Sequence, residues 1–393
     1  MLKENKKNII YVLIVAGLIL RLVLSLNIHI QTYDLNLFKE WANTAGSSLT
    51  SVYTGIEPAD YPPLYMYVLS IIGKIAQVSY FNNYFEVLLK IPSFLAEVIT
   101  SYFIYKLARK NLKESTSLIL AAFYLFNPAV IIDSTLWGQV DSVFTLIIVI
   151  SIYLITEGKI VASSILLSAS ILMKPQGIIF MPVLFFELVR QKNIRQFIIS
   201  AVSGIVTAVI IILPFSISQG SPLWIYKLYT STIGEYPYGS VNAFNFFSLI
   251  GGNFKEANWY NIEGFICIVL ITLISWVFYI QCNDRKYASV AALVQIAGVF
   301  TFSNGMHERY LFPAIAFAVL SYIILKDKRF AYLFVGYSIT SFVNIFVVLF
   351  VKNISVFVAI LMGVSVINIG LTLYLLTLLF LIIRENRRQK VKI

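Results

Sequence analysis

A chain of 393 residues that is 59% hydrophobic and only 12% charged cannot wet the surface of a soluble domain. Its mean hydropathy of +0.82 sets aside the ordinary soluble enzymes, and apolar stretches of roughly 17–25 residues, the length a helix needs to cross a bilayer, recur from end to end. The formal charge of +11 therefore reads as a matter of membrane sidedness and not as a nucleic-acid footprint, so no nucleic-acid partner is expected.

A β-barrel would show short alternating segments. The pattern instead predicts an all-α, polytopic transmembrane helical bundle occupying 1–393 as a single domain. The first span, 9–26, follows Lys3, Lys6 and Lys7, and no small-residue cleavage site comes after it. It reads as a retained helix, with Arg21 snorkelling to the headgroups. The first outer loop carries YDLNLFKEWA at 33–42, an amphipathic helix with Leu35, Phe38, Ala42 and Ala45 on one face. Asp34 there is either a helix N-cap or a working carboxylate; Trp41 and most of the tyrosines read as interfacial belt anchors.

The stretch 64–79 resembles a span, but it is short, carries Lys74 and starts after Pro62-Pro63. Counting it as a crossing would put the Lys106, Arg109, Lys110 and Lys113 cluster outside, against the preference of basic residues for the cytoplasmic side. It is read as a half-helix on or in the outer leaflet, making 27–87 the first extracytoplasmic loop with its juxtamembrane helices.

About twelve crossings remain: 9–26, 88–107, 116–132, 141–155, 160–173, 177–189, 197–217, 264–281, 287–302, 310–325, 330–351 and 356–383. This order puts both termini in the cytoplasm. It also puts inside Lys159, Arg190, Lys192, Arg195, Arg285, Lys286, Lys326, Lys328, Arg329 and the tail with Arg384, Arg387, Arg388, Lys390 and Lys392. The spans 160–173 and 177–189 are too short to cross cleanly, so Lys174-Pro175-Gln176 should lie below the outer surface in a cavity. Lys174 could equally be a snorkelling surface residue. Cys267 and Cys282 fall on one helix about 22 Å apart and cannot pair.

The unusual chemistry collects in the outer loops, including 127–142, the long outer loop 218–262, and Met306-His307-Glu308-Arg309-Tyr310. Ionisable groups at membrane depth are costly and usually line a cavity. Adjacent residues on a helix fan out by about 100°, so Glu308 and Arg309 should each need a different partner. His307, Arg309 and Lys174 suit a phosphate, Asp141 and Gln139 suit sugar hydroxyls, and Asp34 suits a general base. With two histidines in the whole chain and no metal-ligand spacing, neither a metal nor another cofactor is expected.

These residues resemble the integral-membrane glycosyltransferases of the GT-C class, in particular bacterial proteins related to the second mannosyltransferase of GPI-anchor assembly. The likeness rests on Asp34 with Phe38 and Trp41, Tyr61-Pro62-Pro63-Leu64, and Asn127-Pro128. It continues through Trp137-Gly138-Gln139 with Asp141-Ser142, Lys174-Pro175-Gln176, and His307-Glu308-Arg309-Tyr310 before Pro313. The resemblance implies a polyprenyl-phosphate-linked sugar donor, a glycan or lipid-linked acceptor, and transfer on the non-cytoplasmic face; the Ile-, Asn-, Lys- and Phe-rich composition points to a bacterial plasma membrane as its home. It implies Asp34 as base and His307, Glu308 and Arg309 near the donor phosphate. Trp137, Gln139, Asp141, Glu308 and Tyr61 become candidates for sugar or acceptor contact. Some GPI mannosyltransferases carry Asp-x-Asp in the first loop; here position 36 is Asn36, so Asp34 stands alone, with Glu40 as fallback. The rival reading is a secondary transporter or lipid-linked-sugar flippase. Against it, the polar residues gather on one face and not at the midplane, and no duplicated halves appear.

Overall fold

Helices carry this chain because hydrocarbon offers no partner to an unpaired amide. The structure, a computed structural model, describes residues 2–54 and 58–391, and side chains over 8–54 and 58–388. The side chains of Lys3, Lys6, Lys7, Lys390 and Lys392, all expected inside, lie outside the described residues.

The principal helices are α1 (Leu2–Asn27), α2 (Tyr33–Ser47), α3 (Pro63–Ala76), α4 (Phe85–Asn111), α5 (Glu114–Leu125), α6 (Asp141–Thr156), α7 (Ile160–Ile171), α8 (Met181–Gln191), α9 (Ile194–Ser216), α10 (Trp224–Gly234), α11 (Asn258–Cys282), α12 (Ala288–Phe302), α13 (Phe312–Leu325), α14 (Arg329–Phe350) and α15 (Ile354–Val391). Two short strands, β1 (Ser240–Val241) and β2 (Met306–His307), pair in parallel. The chain is an all-α polytopic bundle, as expected.

Twelve crossings were expected, and all twelve stretches are helical; seven among the described residues are long and apolar enough to cross a membrane. The others are short: α6 has 16 residues, α7 has 12, α8 has 11, α12 has 15 and α13 has 14. At 1.5 Å rise per residue, α7 reaches only about 18 Å and α6 about 24 Å, against a hydrocarbon core of about 30 Å. Four of them stop at one end of the bundle. There α6 begins at Asp141, α7 ends just before Lys174, and α12 and α13 flank the turn that holds His307–Arg309. Their shortness leaves a recess at that end.

The opposite end collects the basic clusters. Arg109 Nε lies 2.7 Å from Glu114 Oε2, and Lys110 donates to the Tyr153 hydroxyl near the far end of α6. The Arg285 guanidinium lies over Gly158, between α6 and α7. Arg329, after the far end of α13, pairs with Asp327 and Glu385. The sequence division into a basic face and a chemically rich face is thus a division between the two ends of the bundle.

One open alternative is decided and two local expectations are corrected. Thr32, not Asp34, caps α2: its hydroxyl accepts from the Leu35 N–H, leaving Asp34 free in the first turn. Trp41 is no belt anchor; it is buried with Phe38 and Tyr61. Arg21 does not snorkel, because a partner is available at depth. It is fully buried and ion-paired to Glu97 of α4, and it donates to the Leu125 carbonyl at 2.7 Å. Ser142 completes the cluster by donating to Glu97 at 2.6 Å. Removing one member of such a pair leaves a buried, uncompensated charge, which costs about 3–5 kcal/mol. Glu97→Leu should therefore lower the unfolding midpoint sharply in detergent, and the double variant with Arg21→Leu should recover most of the loss.

The half-helix read at 64–79 is α3, which packs on α2. A Cβ at Gly73 would overlap the Ala42 carbonyl, so only glycine permits this approach. Ser70 donates to the Ala45 carbonyl across the same contact at 2.9 Å. The pair holds Asp34 over the recess.

Candidate active site

Between α5 and α6 the backbone leaves the α-helix for a π-turn over Ile132–Trp137, ended by Gly138 at φ +87°. Left-handed backbone favours glycine there, and a side chain at that position would also meet Leu35 of α2. The turn aims Trp137 at α2, and its indole Nε1 donates to Asp34 Oδ2 at 3.0 Å. The other oxygen, Oδ1, faces Arg309 Nη2 at 3.7 Å. Arg309 Nε lies 3.8 Å from Asp141 Oδ2, and Asp141 Oδ1 accepts from Lys174 Nζ at 2.9 Å. Lys174 also sits over the Tyr61 ring, 5.5 Å from its centroid, and Arg309 lies 5.8 Å from the ring centres of both Trp137 and Tyr310. Residues from five separate loops and helix ends thus share one recess. Lys174 is buried in it, which corrects the reading of this residue as a surface snorkel.

His307–Arg309 stand in a turn and not on a helix. β1, from the long loop, pairs with β2 and fixes His307 between the rings of Tyr236 and Tyr310. In this geometry Glu308 and Arg309 pair with each other at 2.5 Å, where separate partners were expected. Burial, reinforced by the charges of Arg309 and Lys174, holds the His307 imidazole well below its ordinary pKa, so it is neutral near pH 7 and can donate one hydrogen bond. Burial alone would lower the Arg309 pKa; the carboxylates of Asp34 and Glu308 reverse that and hold the guanidinium charged. Burial raises Glu308, against the pull of Arg309.

Exposure separates the carboxylates. The Asp34 side chain is 28% exposed and Asp141 only 4%. A ligand can reach the first; the second is enclosed. Arg309 Nε and Asp141 Oδ2 are buried without a hydrogen-bond partner, as are both amide atoms of Gln139. Open hydrogen-bonding atoms buried together in this way are what a polar binding site presents. Asn127, by contrast, caps the turn after it and donates to Ser338, a structural use. Among the described residues, no group of three or more His, Cys, Asp and Glu is placed to hold a metal ion.

Sequence reasoning missed two acids. Asp133, in the π-turn, is fully buried with neither oxygen hydrogen-bonded; its signal was an acid inside an apolar run. Asp60, just before Tyr61, is pushed from 3.8 up to about 6 by burial and then by the charge of Glu235. A folded-state value above the unfolded one means that the native state holds this proton more tightly. The stability Asp60 contributes is therefore full below pH 3.8 and is lost as pH rises through 6, at most about 3 kcal/mol for two units. Asp60→Asn should raise the melting temperature at pH 7.5 and leave it nearly unchanged near pH 4, as a paired thermal scan would record.

The family described as dolichyl-phosphate-mannose-protein mannosyltransferase matches residues 60–217. That is under half of the chain, and it carries Trp137, Gln139, Asp141 and Lys174. The chain is also 34% identical over 116 residues to GPI mannosyltransferase 1 of Candida albicans. The resemblance to the GT-C mannosyltransferases stands. The matched stretch spans 29% of this chain and 29% of that relative's length. The relative is named as the first GPI mannosyltransferase, where the sequence reading pointed to kin of the second. Asp34 and His307–Arg309 lie outside the family match; only the folded geometry joins them to the matched stretch.

Proposed function

We propose that this chain is a membrane glycosyltransferase that moves a hexosyl unit, mannosyl by its similarities, from a polyprenyl-phosphate donor to a glycan or lipid-linked hydroxyl. The observation that carries the reading is the approach of an accessible carboxylate, Asp34, to a buried guanidinium, Arg309, in one recess at 3.7 Å. In this reading the acceptor hydroxyl gives its proton to Asp34. Its oxygen bonds to the anomeric carbon as the bond from that carbon to the phosphate oxygen breaks. The electron pair leaves with the polyprenyl phosphate, and configuration inverts.

Arg309 meets the growing charge on the phosphate, and such stabilisation in a dry site is commonly the largest catalytic contribution. His307, neutral, donates a hydrogen bond. Lys174, held by Asp141, adds charge at a fixed position, and no metal is required. Trp137 orients the base, and Gln139, Glu308 and Tyr61 complete the sugar site. The recess opens to the extracytoplasmic side of a plasma membrane, with both termini cytoplasmic.

The test uses full-length protein in lipid nanodiscs with radiolabelled polyprenyl-phosphate mannose or glucose and a panel of acceptors, with and without chelator. Acceptor-dependent release of polyprenyl phosphate, with a product of inverted anomeric configuration, is the expected result. Movement of intact donor across a sealed proteoliposome, with no bond broken, would replace the enzyme by a flippase.

A further inference from the structure

Next to the recess, a cavity of about 920 Å³ opens between α2, the segment ending at Asp60, and α10. Its aromatic wall includes Tyr33, Trp41, Tyr53 and Trp224, and its polar lining includes Asp60 and Glu235. The wall is braced. Tyr53 and Trp224 pack with their rings tilted and centroids 5.0 Å apart, the Tyr53 hydroxyl donates to the Tyr61 carbonyl at 2.7 Å, and Trp224 Nε1 donates to Ser216 at 3.0 Å. Thr232 of α10 donates to the Asp60 carbonyl at 2.9 Å and closes the far side.

Three groups in this lining are buried without partners: the Trp41 indole N–H and the Gln219 amide nitrogen, both donors, and Asp60 Oδ1, an acceptor. None could be satisfied by an apolar lipid tail. Ring faces suit the C–H faces of a pyranose, and an open donor with an open acceptor suits its hydroxyls. Among the described lining residues, two carboxylates stand against the ammonium of Lys227, which disfavours an anionic ligand.

We propose that this cavity is the acceptor site and that it binds a neutral, hydroxyl-bearing glycan, with Asp60 and Trp41 as hydrogen-bonding residues. The inference rests on the transferase reading above. Continuity supports it. The Trp41 ring lies 5.5 Å from Tyr61, and Lys174 of the recess lies over that same Tyr61 ring. The charges of both Asp34 and Arg309 act on the Asp60 carboxyl, so the two sites are electrostatically one neighbourhood.

The experiment titrates nanodisc-embedded full-length protein with n-octyl glucoside and n-octyl mannoside below their micellar concentrations, following tryptophan fluorescence. Trp41 and Trp224, two of the five tryptophans, line the cavity, so a saturable change is expected. Hydrogen bonds to charged groups are strong enough that Asp60→Asn should weaken binding about tenfold or more. Trp41→Phe, which keeps the ring packing and removes the donor, should weaken it as well. Glu235 is exposed, so Glu235→Gln tests the second acid without threatening the fold.

The absence of a saturable change in the wild type, or wild-type affinity in both Asp60→Asn and Trp41→Phe, would overturn the acceptor site; affinity unchanged by either would mean detergent partitioning only. Failure here leaves donor cleavage in the assay above untouched. Glycoside binding without any donor cleavage would keep the cavity as a glycan site and sink the transferase.

Discussion

Asp34→Asn should lower kcat for polyprenyl phosphate release by roughly 10²–10⁴ and leave the donor KM little changed, the signature of a lost general base. The substitution is nearly isosteric. Its amide oxygen can still accept from the Trp137 indole, so the contact at Oδ2 survives. Arg309 keeps Glu308 at 2.5 Å and Asp141 at 3.8 Å, so the recess does not lose its charge balance outright. What disappears is a group able to take a proton. Asp34→Glu keeps that ability in displaced geometry and should fall between. The readout is single-turnover release of labelled lipid, with thermal melting to confirm an intact fold. An unchanged rate in the asparagine variant would remove Asp34 from the chemistry.

Arg309→Gln should cost on order of 10²–10³ in kcat, the usual loss when one preorganised donor to a developing anion is removed. It should also cost stability, with a pH dependence whose sign follows from Glu308. Burial already raises that carboxyl while Arg309 opposes the rise. Without the guanidinium the folded-state value climbs further above the unfolded one, so the Glu308 contribution is retained at low pH and lost as pH rises. The variant should therefore melt close to wild type at acid pH. At alkaline pH it should approach the roughly 3–5 kcal/mol loss expected of a stranded buried charge. Arg309→Lys keeps a charge but not the planar fork that reaches Asp34, Asp141 and Glu308 together, so it should rescue stability better than rate. Equal losses of rate in the lysine and glutamine variants, with stability kept in the lysine variant alone, would fit that geometric role; full activity in either would refute it.

Much of the site was legible before folding because its residues violate the rules of their surroundings. A His-Glu-Arg run, a Lys-Pro-Gln break and an acid after Trp-Gly-Gln are all expensive between apolar helices, and expense at membrane depth points to use. The residues that escaped notice broke a weaker rule or none. Asp60 sits in an ordinary-looking loop, and its raised proton affinity comes first from burial and then from Glu235, which is distant in the chain. Arg21 was misjudged for the same reason, since Glu97, 76 positions away, is what makes its burial tolerable.

Composition and the placement of charge, local properties of the chain, were enough to determine a helical membrane bundle with one basic and one chemically rich end. Hydrophobic length and basic clusters act through the solvent, and the solvent is known in advance. Which side chains meet was decided only by tertiary structure. The pairing of Arg309 with Glu308, the neutral state of His307, the hold of Trp137 on Asp34 and the cavity beside Asp60 depend on distances between segments far apart in sequence. Electrostatic and hydrogen-bond energies change over a few ångströms, a scale that no periodicity in a sequence encodes.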